Sequence, residues 1–144
     1  MRFSPLFYAA LVAAAPATTS NAPEVEITNV SAKALVNNTL TFDFDVIDNA
    51  NNQTTHCYGE WDDVNRATPA VPCTVPSYNA TIYFPLGSNI ESWIAFIGAE
   101  GRESLYLASV RTGTPNYVCG HSGSEGVLSL CFTLPGYKIS TVAV

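Results

Sequence analysis

Few side chains in this 144-residue sequence stand at spacings that chemistry would need. The segment Gly120-His121-Ser122-Gly123-Ser124 approaches the G-x-S-x-G nucleophile elbow, where a serine on a sharp strand-to-helix turn is activated by a histidine. Its fifth position is serine instead of glycine, and neither a histidine nor a helical pattern follows Ser122. A loop flanked by cysteines is therefore the simpler reading, and a small hydrolase the weaker one. Glu60, Asp62 and Asp63 lie close enough in sequence to share a cation or to act as the paired carboxylates of a glycosidase. Adjacent Asp62 and Asp63 would point apart on a strand, and no calcium-loop motif surrounds them, so a solvated acidic loop beside a buried Trp61 is the better account. His56 and His121 are isolated and no C-x-x-C occurs, which argues against a general base and a zinc site. No catalytic residue, metal ligand or cofactor is expected. Trp61 and Trp93 offer aromatic faces to planar or carbohydrate ligands, although core packing is the commoner role of tryptophan in a small β-domain.

Four cysteines, Cys57, Cys73, Cys119 and Cys131, read as two disulfides, with three connectivities open. The sequence-local choice, Cys57 with Cys73 and Cys119 with Cys131, closes loops of about 12 to 16 residues, worth roughly 3 kcal/mol each in the chain-entropy account.

Short alternating runs position these residues. Val25 and Ile27 begin a first strand. Leu40, Phe42, Phe44 and Val46 alternate with Thr39, Thr41, Asp43 and Asp45 in the clearest period-2 pattern of the chain, which predicts an antiparallel strand with one wet face. On that face Asp43 and Asp45 would be exposed charges that keep the strand from pairing with other molecules. The cluster Asp48-Asn49-Ala50-Asn51-Asn52 predicts a turn, after which a third strand runs from Thr54 through Cys57 to Trp61. Residues 62 to 77 hold three prolines and read as a loop tied down by the first disulfide. Further strands are expected over Tyr78–Phe84, Trp93–Ile97, Ser104–Val110, Tyr117–Cys119, Val127–Phe132 and Tyr137–Val144. About eight or nine short strands without a helix predict an all-β fold, an antiparallel β-barrel or β-sandwich.

Met1 and Arg2, the apolar run Phe7–Ala15 and Ala15-Pro16-Ala17 have the form of a secretory signal peptide over residues 1–17, with cleavage allowed as far as residue 22. Residues 18–144 are then one exported domain, and no stretch approaches the about 20 apolar residues of a membrane span. Without Arg2 the chain carries five Lys and Arg against twelve Asp and Glu, a net charge of −7. That balance argues against nucleic acid and anionic membranes as partners. Asn29, Asn37, Asn52 and Asn79 each open an N-x-S/T sequon, Asn37 and Asn52 within expected turns.

Taken together, the leader, "ITNVSA", "LTFDFDVID", "TTHCYGEW" before Cys73, the Cys119-Gly120 to Cys131 segment and the final "ISTVAV" resemble the Alternaria major-allergen-like family of secreted fungal β-barrels over nearly the whole mature chain. The resemblance implies a barrel-like β-sandwich, local pairing of both cysteine couples and no catalytic residues. It also implies a role as allergen, effector or elicitor that triggers or blunts plant defence. The partners it implies are plant apoplastic proteins, thaumatin-like defence proteins among them, and small phenolic ligands. In one respect the chain departs from the pattern: the namesake carries an extra cysteine near its mature N-terminus for a covalent dimer, and residues 18 to 56 contain none. A disulfide-linked dimer is accordingly not expected. The expected function is that of a secreted, non-catalytic fungal effector or elicitor in the apoplast or at the fungal wall. Its interaction surface is expected around Glu60, Trp61, Asp62, Asp63 and Arg66. The alternative is a phenolic- or glycan-binding secreted β-barrel.

Overall fold

The computed structural model describes residues 23–62, 70–121 and 123–144, so the signal-peptide reading, Asp63, Arg66 and Ser122 lie outside the described residues. Eleven strands and no helix make up the described chain: β1 (Val25–Leu35), β2 (Thr39–Asp48), β3 (Gln53–Asp62), β4 (Ala70–Pro72), β5 (Asn79–Tyr83), β6 (Ser92–Gly98), β7 (Leu105–Arg111), β8 (Tyr117–Gly120), β9 (Val127–Thr133), β10 (Lys138–Ser140) and β11 (Val142–Ala143). Every ladder is antiparallel.

One sheet runs β3-β2-β1-β9-β8, with β10 also on β1, and the other runs β11-β7-β6-β5-β4. They pack face to face as a sandwich and do not close into a barrel, which decides between the two architectures the alternation allowed. The period-2 strands bury one face each. Phe42, Phe44 and Val46 of β2 meet Ile27 and Ala32 of β1 and Trp93, Ala95 and Ile97 of β6 in a single core. Trp93, not Trp61, is the fully buried tryptophan: its indole stands edge-on to Phe42 with ring centroids 5.0 Å apart. Its Nε1–H donates to the Tyr117 hydroxyl (3.1 Å), which donates in turn to the Ile90 carbonyl (2.6 Å). Trp61 is half-buried.

Asn29, with φ of 51°, sits where the β1–β2 register shifts. Before it β1 pairs with β10, and after it with β9. Thr133 bridges the gap left at this switch, its Oγ1 accepting from the Val30 N–H at 3.0 Å. Two edges of the sandwich are crossed by chain. The C-terminal stretch, expected as one strand, divides into β10 in the first sheet and β11 in the second. Thr141 holds the crossing, its hydroxyl donating to the Val25 carbonyl at 2.6 Å.

At the other edge, Cys57 of β3 bridges to Cys73 just past β4, and the pair is joined as a disulfide. Part of the proline-rich stretch expected as loop is therefore strand. Val71 is buried, and Pro72, which has no N–H to give, ends a three-residue edge strand against β5. Gly59 makes this approach feasible, because a Cβ there would stand 2.7 Å from the Ala70 carbonyl oxygen. Cys119 and Cys131 are directly opposed on β8 and β9 and form the second disulfide, so both local pairings are present.

Candidate functional site

Strand pairing assembles an acidic strip on the outer face of the first sheet. The β2–β3 register sets Asp43 opposite Tyr58, Asp45 opposite His56 and Thr41 opposite Glu60. Alternation sends Phe42, Phe44, Cys57 and Gly59 inward, and so turns Asp43, Asp45, His56, Tyr58 and Glu60 outward, while Thr41 is buried. The His56 ring lies between two carboxylates, with Nδ1 2.7 Å from Asp45 Oδ1 and Nε2 3.2 Å from Asp43 Oδ1. Asn29 donates from Nδ2 to the other Asp45 oxygen at 2.9 Å. Next along the strip, the Tyr58 hydroxyl donates to Glu60 Oε1 at 2.7 Å. That bond to a carboxylate, with lesser contributions from burial and the charges of Glu60 and Asp43, holds the phenol in its neutral form and pushes its pKa up to about 12. The strip is thus pre-arranged: two acids share an imidazole and a third holds a tyrosine in place.

Glu60 and Trp61 lie on the third strand as expected, and Asp62, expected to open the loop, is the last residue of β3. Glu60 joins the acidic strip. Trp61, opposite Leu40, turns to the other side, stands edge-on to Phe84 at 5.3 Å, and lines a shallow depression of about 250 Å³ with Leu35, Asn38, Leu40, Ser88 and Leu128. Strand alternation therefore separates Trp61 from its acidic neighbour Glu60.

A second polar cluster had no signal in the sequence. Asp48 closes β2 within the expected turn and is completely buried. Its carboxylate accepts from Arg102 (2.7 Å), Tyr78 (2.8 Å) and the Asn51 side chain (2.9 Å), while Arg102 also donates to the Tyr106 hydroxyl (3.2 Å). Tyr106 donates to Glu24. Burial alone would raise the Asp48 pKa, but the bonds from Tyr78, Arg102 and Asn51 outweigh it and the net shift is downward. Tyr78 is shifted upward by burial and by its bond to Asp48. With no buried side-chain donor or acceptor left without a partner among the described residues, this cluster ties β2 to β7 and the segments flanking β5 and β7. It is a cross-sheet fastening whose groups are already engaged with one another.

Of the serine-containing loop, Gly120, His121, Gly123 and Ser124 are described. His121 is exposed and its Nδ1 lies 3.2 Å from the Leu128 carbonyl oxygen. Among the described residues, no group of three or more His, Cys, Asp or Glu is arranged to hold a metal ion, and no helix is long and apolar enough to cross a membrane. The four sequon asparagines are all exposed, including Asn29 and Asn79 within strands. No family model, curated protein or solved structure matches the chain.

Proposed function

We propose that this protein is a secreted, non-catalytic effector or elicitor of the kind its sequence resembles, which acts by binding a plant apoplastic protein with a basic surface. The observation that carries the reading is the acidic strip on β2 and β3. Asp43, Asp45 and Glu60 are held in fixed positions on an outward sheet face, with His56 half-exposed between the first two. Charges arranged in this way steer association and select partners more than they add raw affinity, and their effect is screened by salt. The two disulfides fit an oxidising compartment, where such a partner would be met.

Infiltration of purified protein into leaves tests the reading. Wild-type protein is expected to trigger or suppress a defence response, and the triple variant Asp43→Asn, Asp45→Asn, Glu60→Gln is expected to do neither. Equal responses to the two proteins, or no response to either, would overturn it. A second reading, a binder of small phenolic or sugar ligands, is favoured by the depression beside Trp61. Its about 250 Å³ is small against the roughly 300–1,000 Å³ of sites for drug-sized molecules, so a single ring is the largest ligand it would bury well. Tryptophan emission that does not respond to phenolics or to cell-wall sugars would remove this second reading.

A further inference from the structure

The depression beside Trp61 lies next to an N-glycosylation sequon in the chain. Asn37 opens the sequon Asn37-Asn38-Thr39 in the turn between β1 and β2, and it lies in sequence between two residues that line the depression, Leu35 and Asn38. The turn is held by the Asn38 N–H donating to the Leu35 carbonyl at 3.1 Å, with Asn38 at φ of 63°. Asn37 is exposed. Its Oδ1 accepts from the Thr39 N–H at 3.2 Å, a bond that leaves the amide nitrogen, the atom a glycan is joined to, outside that contact. The other sequons are equally exposed but differ in setting. Asn29 already donates from its amide nitrogen to Asp45, and neither Asn52 nor Asn79 is flanked in sequence by residues that line the depression beside Trp61.

We propose that Asn37 carries an N-linked glycan whose first sugar ring lies in the depression against Trp61, Leu40 and Leu128. The lining suits a pyranose. The face of an indole is negatively polarised and attracts the C–H rows of a sugar ring, while Asn38 and Ser88 are the polar residues placed to meet its hydroxyl or acetamido groups. A covalently attached sugar is also present at high effective concentration, because only a short tether separates it from the surface it covers. The glycan would shield the half-buried Trp61 and the exposed Val36 and Leu128, and leave the acidic strip of β2 and β3 as the accessible recognition face. This inference rests on the export reading and is independent of the partner.

The full chain, with its own leader, is produced in a secretory host that attaches N-glycans, and site occupancy is read by mass spectrometry of its peptides. Because Trp93 is fully buried, collisional quenching of tryptophan emission by a polar quencher reports on Trp61. Asn37 is expected to be occupied, and enzymatic removal of the whole glycan is expected to raise quenching about twofold, as the indole face is uncovered. In the variant Asn37→Gln, quenching should be high before and after the same treatment, whereas Asn52→Gln should behave as wild type. Glycan on Asn52 or Asn79 with Asn37 bare, or quenching indifferent to glycan removal, would overturn the proposal alone. A secreted chain bare at all four sequons would overturn it too, and retention of the chain inside the cell would overturn the export reading with it.

Discussion

Asp48 shows how far a residue's role can lie from its local sequence. In the run Asp48-Asn49-Ala50-Asn51-Asn52 it is indistinguishable from a turn former, and in part it is one, since its Oδ1 accepts from the Ala50 N–H at 3.2 Å. Its distant partners, Tyr78 and Arg102, are 30 and 54 residues away, and no window of sequence joins them. Replacing Asp48 by Ala would leave the Arg102 guanidinium and the Tyr78 hydroxyl without their acceptor, at a cost of about 3–5 kcal/mol by denaturant unfolding. Tyr78→Phe, which removes one of several donors, should cost about 1–3 kcal/mol. The pH dependence follows from the downward shift. A carboxylate with a folded pKa below its ordinary 3.8 contributes stability that is whole above that value and lost as pH falls through the folded pKa. Stability of the wild type should therefore decline below pH 3.8 more steeply than that of Asp48→Asn, and parallel curves for the two would contradict this role. On the outer face, Tyr58 should titrate near pH 12 by its phenolate absorbance, and Glu60→Gln should return it toward 10.0, because the accepting carboxylate is the largest cause of its shift.

At the scale of elements, strands with their own strong pattern were legible and strands defined by neighbours were not. β2 alternates from Phe42 to Val46 with the inward and outward faces the sequence indicates, while Thr41 and Asp48 are buried polar residues at its two ends. β4 is three residues that end on Pro72. It exists because β5 pairs with it and the Cys57–Cys73 disulfide holds it beside β3. The final segment reads as one strand, since nothing in Lys138–Ala143 announces that Thr141 passes the chain from one sheet to the other. Trp61 and Trp93 likewise sit among β-formers. Only their places, one at the end of β3 and the other against Phe42 and Phe44, decide which is covered. Gly59 supplies the element-scale prediction. With backbone 2.7 Å from the position of an added Cβ, Gly59→Ala must push β4 away from β3, which should cost about 1–3 kcal/mol and speed amide exchange in Val71. Exchange unchanged at Val71 would mean that the two strands are not in the close contact described.

Across the whole molecule, charge and apolar surface are segregated. Asp43, Asp45 and Glu60 gather on the β2–β3 face, whereas Val118 and Phe132, opposed on β8 and β9, and Leu128 on β9 are exposed in a stretch that carries no charge from Thr112 to Ser124 and only Glu125 before Lys138. Net charge was readable from composition, but its concentration on one face depends on the register that pairs Asp43 with Tyr58 and Asp45 with His56. Glu60 and Trp61, neighbours in the expected interaction surface, belong to different surfaces for the same reason. The central claim, that the acidic strip binds a basic apoplastic protein, is tested most directly by immobilising wild-type protein and the Asp43→Asn, Asp45→Asn, Glu60→Gln variant and passing apoplastic fluid over both. The account predicts that wild type retains one or a few basic defence proteins, that the variant does not, and that raising salt from about 50 mM to about 500 mM releases them. Equal retention by the two proteins, or retention by wild type that salt leaves unchanged, would contradict it.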